Sequence, residues 1–159
     1  GIYAVLGNHD AGDSYDKMVE FFNAANIKLL QDEFIEVEEE FIVAGRKDFS
    51  SIRRQGNERK DVKSLLENVD TDKPIIMLDH QPSAINEEAD NNVDLLLCGH
   101  THKGQLFPGN LITNNIFLDD YGYLKVQNTN VIVSSGVGTW GPRMRIGSKS
   151  EIVNIKFNY

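Results

Sequence analysis

Cysteine is nearly absent from this chain of 159 residues: Cys98 stands alone, which excludes an internal disulfide framework. It lies within an apolar run and reads as buried filler. Tryptophan also occurs once, proline four times and histidine four times, and no stretch is of low complexity. Basic residues are outnumbered 16 to 24, and the formal net charge of −8 gives no electrostatic footprint for nucleic acid or anionic lipid. Long apolar runs are missing too, with none near the ~20 residues that cross a bilayer as a helix. What is there, 40% hydrophobic and 25% charged residues, suffices for one globular domain with its own core over residues 1–159. The acidic run EVEEE at 36–40 reads as a solvated face.

Hydrophobic periodicity orders the chain. Residues 2–6 are an apolar run closed by Gly7 and predict a buried strand. Met18, Val19, Phe22 and Ala25 recur at helical spacing over 15–25, with Asp13 or Ser14 as N-cap. IKLL, FIEV and FIVAG predict three further strands, 46–57 a loop, and 58–69 a second amphipathic helix stopped before Pro74. PIIMLDH and NVDLLLCGH follow one plan, an apolar strand that ends on a histidine. Turn residues crowd 104–130 and predict irregular structure there, while VIVSS and SEIVNIKF predict closing strands. Phe21, Phe22, Phe34 and Phe41 are expected in the core. Strands alternating with helices give an α/β class with a mainly β second half.

All four histidines sit where strands end: LGNHD at 6–10, LDHQP at 78–82 and CGHTHKGQ at 98–105. Ligand sites in α/β sheets gather beyond the carboxyl ends of the strands, so Asn8, His9, His80, His100 and His102 are expected together. On extended backbone, His100 and His102 would share a face. A single histidine at a strand end is commonly just a satisfied polar residue; the full set so placed is a constellation. Imidazole and amide donors favour a borderline transition ion such as Mn, Fe, Zn or Co over Ca or Mg. Two such ions ~3.5–4 Å apart suit a displacement at phosphorus. GVGTWG at 136–141 matches a dinucleotide-binding glycine pattern, but Pro142 follows where a helix should open. These glycines are better read as shaping a loop in which Arg143 or Arg145 meets a substrate phosphate, or else pairs with surface carboxylates.

GNHD, DH and GHTHKGQ together resemble the third, fourth and fifth motif blocks of the calcineurin-like metallophosphoesterases. The tail VSSGVGTWGPRMRIGSKSEIVNIKF is similar to a branch of small bacterial phosphohydrolases whose members often carry an N-terminal membrane anchor. The resemblance runs from Gly7 to Phe157. It implies an αββα sandwich and hydrolysis of phosphomonoesters or phosphodiesters, hence a small phosphorylated substrate, at a two-metal site. By position, Asn8, His80 and His100 would hold one ion and His102 would contribute to the other. His9, supported by Asp10, would protonate the leaving oxygen as general acid. Association with a membrane would come only through an anchor upstream.

The family pattern also places a D-x-H and a G-D-x-x-D block ahead of GNH, supplying the remaining ligands and the bridging aspartate. Here GNHD begins at residue 7, and the literal G-D-x-x-D at 12–16 follows it and reads as the start of the first helix. The expectation is therefore a C-terminal fragment of a metallophosphoesterase, incomplete at its N-terminus. Neutral donors cannot balance two dications a few ångströms apart without a bridging anion. Such a fragment would bind at most one divalent ion, turn over no phosphoester, and self-associate through the sheet edge its missing segment would cover. The competing expectation is a non-catalytic binding or scaffold domain of the same fold.

Overall fold

Strands that are apolar almost without interruption lie at the centre of one six-stranded sheet, and strands that alternate lie at its edges. The computed structural model describes residues 1–10, 14–50 and 58–157. The sheet order is β3 (Glu33–Val37), β4 (Phe41–Gly45), β5 (Ile75–Leu78), β6 (Leu95–Cys98), β8 (Thr129–Val133) and β7 (Gly122–Val126). β4, β5, β6 and β8 run parallel, and β3 and β7 close the edges antiparallel. The register sets Ala44 opposite Met77, Met77 opposite Leu96 and Leu96 opposite Val131, a line of fully buried side chains across the central strands. β1 (Tyr3–Ala4) and β2 (Lys28–Leu29) form a separate parallel pair.

Helices flank the large sheet, which makes this the mixed α/β fold expected. α1 (Tyr15–Ala24) falls where periodicity placed it, although its Ser14 N-cap makes no side-chain capping bond. α2 (Val62–Leu65) and α3 (Ile85–Asp90) deliver Val62, Leu65 and Ile85 to the central core cluster. A short 3₁₀ turn, His102–Gly104, and α4 (Gly109–Ile116) follow β6.

Several expectations are corrected. The helix over 58–69 contracts to α2, because residues 58–61 are drawn out by other partners: the Lys60 amide donates to Asp32 (3.0 Å) and the Arg59 guanidinium reaches the Lys47 carbonyl (2.7 Å). Residues 104–130 are not irregular but hold α4, β7 and the start of β8. SEIVNIKF forms no strand among the described residues; Ile152 is 87% exposed, so the alternating pattern finds no sheet to pair with. Phe21 and Phe34 lie exposed, the first on a helix that buries none of its residues and the second on an edge strand, while Phe22 and Phe41 are half-buried. Cys98 is buried, as expected. Residues 51–57, part of the predicted loop, and Asp13 lie outside the described residues.

Candidate metal centre

β5 and β6 are parallel neighbours, so the loops leaving their carboxyl ends start side by side, and the Gly99 amide donates to the His80 carbonyl between them (3.0 Å). Asn8 arrives from the turn after β1, where the Asp10 amide donates to Gly7 O (3.0 Å) and the Gly7 amide to Asp10 Oδ2 (2.8 Å). Three side-chain atoms converge. Asn8 Oδ1 lies 3.0 Å from His80 Nε2 and 3.1 Å from His100 Nδ1, and the two ring nitrogens are 3.2 Å apart. Donors held ~2.1 Å from one first-row ion at right angles stand ~3 Å from each other. The triangle therefore fits one face of such an ion's ligand shell. Burial, and then the neighbouring His100, push His80 down to about 4, and burial also lowers His100. Both rings are neutral at neutral pH, the form that ligates metals. Gly7 is required beneath the triangle, because a Cβ there would fall 2.7 Å from the His80 ring.

A cavity of about 260 Å³ opens over these donors, walled also by His9, Thr101, His102, Thr113 and Trp140. All four histidines thus meet at one cavity, as the strand-end argument required. His9 is exposed on the wall, and among the described residues its ring makes no hydrogen bond. The Asp10 carboxylate sits on the Gly7 amide rather than on His9. His102 stands outside the triangle, where its Nδ1 and its carbonyl each accept from Arg145 at 3.4 Å. Burial and then the Arg145 charge lower its pKa. Arg145 also donates to the carbonyls of Ser135, Gly136 and Gly138, tying that loop to His102, while Arg143 is exposed.

The loop carrying His100 and His102 is not extended. His100, His102, Lys103 and Gln105 have φ of 68°, 50°, 52° and 45°, with Thr101 at −70° between the histidines. The two imidazoles reach one cavity through a left-handed turn, not by sharing a strand face. Left-handed non-glycine residues cost roughly 1–3 kcal/mol each and persist only where surroundings over-determine them. Here the Thr101 hydroxyl donates to Asp120 O (2.6 Å), and the fully buried Gln105 amide group clamps Trp140, donating to its carbonyl (2.7 Å) and accepting from its amide (2.8 Å).

Below His80 lies a charge cluster that the strand-end reasoning missed. Arg46 and Arg59 are both buried against Asp79, and Arg46 Nη1 also donates to Glu87 (3.1 Å) and Glu88 (3.0 Å). Burial pushes both Asp79 and Glu88 up, Glu88 to about 8, and the two guanidiniums beside Asp79 oppose the rise there. Two cations, Arg46 and Arg59, thus face the three carboxyl groups of Asp79, Glu87 and Glu88. The only sequence signal was an aspartate closing an otherwise apolar strand. Asp48 is a second omission: burial would raise it, but donation from Ser50 and from Gln81 Nε2 (2.8 Å) holds it low.

A mixed α/β sheet that brings an amide oxygen and two neutral imidazoles together beyond its strand ends presents donor types that divalent transition ions take. Comparison with known proteins carries this further. Residues 1–104 match the family described as calcineurin-like phosphoesterase, and the chain belongs to it. This is a family of metal-dependent hydrolases acting on phosphoesters. An uncharacterized metallophosphoesterase of Aquifex aeolicus is 39% identical over 155 residues, covering 96% of this chain and 59% of that protein. An uncharacterized metallophosphoesterase of Helicobacter pylori strain 26695 is 32% identical, covering 98% and 42%. A transmembrane protein with metallophosphoesterase domain from Danio rerio is 34% identical, covering 98% and 38%. The chain spans between 35% and 59% of the length of the curated relatives it matches. No solved structure matches it. The family match takes in Asn8, His9, Asp10, His80, His100 and His102 and stops short of Arg143 and Arg145.

Proposed function

We propose that this chain supplies part of the metal site of a phosphoester hydrolase acting on phosphomonoesters or phosphodiesters. The observation that carries the reading is the triangle of Asn8 Oδ1, His80 Nε2 and His100 Nδ1, with edges of 3.0–3.2 Å. These residues would hold one ion of the Mn, Fe, Zn or Co type. When bound, such an ion supplies charge that polarises a phosphoryl oxygen and acidifies water. His9, exposed on the cavity wall, donates the proton that the departing alkoxide oxygen needs, and Asp10 fixes the turn that presents it by accepting from Gly7. His102, steadied by Arg145, contributes to a second ion, and Arg143 and Arg145 offer charge to the substrate phosphate.

Among the described residues no group of three or more His, Cys, Asp or Glu is placed to hold a metal. The expectation for this chain by itself is one ion at most and no turnover. Mn²⁺ titration and hydrolysis of bis(p-nitrophenyl) phosphate should be compared for this chain and for a longer natural protein containing it. Turnover by the longer protein, lost on His100→Ala and slowed by His9→Ala, supports the reading; hydrolysis by the pure chain contradicts the partial site. Silence in both with no metal retained favours the second reading, a non-catalytic binding domain. β1 pairs with β2 alone among the described residues, so its other edge is where we expect self-association. A strictly monomeric chain in sedimentation velocity contradicts that.

A further inference from the structure

The segment after the GHTHKGQ loop packs inside out. α4 turns Thr113 and Asn110 inward, where Thr113 lines the metal cavity and donates to the Asp120 carboxylate and Asn110 Oδ1 is buried, while Asn114 and Asn115 stay exposed. Its apolar residues face outward, with Ile112 61% and Ile116 66% exposed and Leu111 close to that, and the flanking Phe107 and Leu118 are exposed as well. A helix of a water-facing surface shows the reverse pattern. Nor is it loosely attached. A Cβ on Gly104 would lie 2.1 Å from the Asn110 nitrogen, and one on Gly109 2.6 Å from Gly104 O, so the two backbones touch. Beside α4, the loop 137–147 exposes Val137, Trp140, Met144 and Ile146, joined to it where the Phe107 amide donates to Ile146 O (2.7 Å).

Charge identifies what covers this face. Residues 103–118 and 136–149 hold four of the sixteen basic residues, Lys103, Arg143, Arg145 and Lys149, and none of the twenty-four acidic ones. Asp119, Asp120 and Glu151, just beyond these segments, are engaged by the Tyr121 amide, by Thr113, and by Ser134, Ser135 and the Tyr121 hydroxyl respectively. The net charge of −8 thus conceals a local reversal of sign. Projecting aliphatic side chains, an indole and cations without acids match an anionic lipid surface. A second copy docking by two-fold symmetry would set these cations against themselves.

We infer that α4 and the 137–147 loop form a docking face for membranes containing anionic lipid. Thr113 and Trp140 belong to those two segments and also wall the metal cavity, so docking holds the cavity at the bilayer surface. The inference stands on surface pattern and is independent of whether the cavity hydrolyses anything.

Trp140 is the only tryptophan, which makes its emission a direct reporter. The chain should float with phosphatidylcholine vesicles containing phosphatidylglycerol, with a blue shift that added salt reverses, and should not float with pure phosphatidylcholine. Leu111→Ser with Ile112→Ser should abolish flotation while circular dichroism is unchanged. Arg143→Gln and Lys149→Gln should each weaken binding about fivefold. No flotation, equal flotation with both vesicles, or an oligomer that the Leu111→Ser and Ile112→Ser pair disperses would each overturn the inference.

Discussion

One methyl group added at Gly7 should separate metal binding from stability. Gly7 does not have a left-handed φ, so alanine suits its backbone. The new Cβ would sit 2.7 Å from His80 Cε1, 2.8 Å from Nε2 and 2.9 Å from Nδ1. Non-bonded carbons rest ~3.5–4.0 Å apart, so the ring must retreat by roughly 1 Å. A metal site tolerates only ~0.2 Å of error in its ligand distances. His80 Nε2 therefore leaves the triangle, and an affinity loss of ~10–100-fold is expected, as when a metal ligand loses its orienting support. Stability falls only modestly, the ~0.4–1 kcal/mol gained by restricting the unfolded chain partly offsetting the ~1–3 kcal/mol that crowding the ring costs. Calorimetric titration with Mn²⁺ or Zn²⁺, paired with urea denaturation, reads both quantities. Wild-type affinity in Gly7→Ala would refute the claim that this contact places His80, and so would a large loss of stability.

Two further outcomes follow from the charge cluster. Arg46→Met removes the guanidinium that Asp79, Glu87 and Glu88 share, leaving buried carboxylate charge uncompensated; a loss of ~3–5 kcal/mol is expected by urea denaturation, and one below about 1 kcal/mol would contradict it. Burial and then Asp79 raise Glu88 to about 8 from the ordinary 4.5, so the folded state binds a proton that the unfolded state does not. That contribution is full below the ordinary value and is lost as pH rises through the folded one, with a slope of up to ~1.4 kcal/mol per pH unit between them. Glu88→Gln should flatten the profile across this window; a slope equal to wild type would show that Glu88 is not the group responsible.

What could be read from sequence follows from how local each feature is. The histidines were legible because each closes its own apolar run, and β5 and β6 needed only to be adjacent for His80 and His100 to meet. The backbone between His100 and His102 was not legible, since its left-handed turn depends on Asp120 and Trp140, which lie ~20–40 residues away in the chain. α4 was hidden for a similar reason. GNLITNNI is a poor helix former by composition, and the helix exists because Gly104 and Gly109 allow close contact and Thr113 finds Asp120. The closing strand failed in the opposite sense, as an alternating pattern with no neighbouring strand to receive it among the described residues.

The charge cluster explains a precision that the histidines cannot supply for themselves. A buried ion network is no more stabilising than a well-packed apolar core of the same volume, so stability alone gives no reason for one here. Its members are telling: Arg46 follows β4, Arg59 precedes α2, Glu87 and Glu88 belong to α3, and all converge directly or through Arg46 on the segment ending in Asp79. Asp79 is the residue before His80. Directional bonds from three separate segments fix the end of β5 more narrowly than dispersion contacts, which tolerate sliding, could. Gly7 then closes the remaining space over the ring, and Asn8 and His100 both meet its Nε2. The part of the molecule that sequence reading passed over is thus what holds in register the part it found.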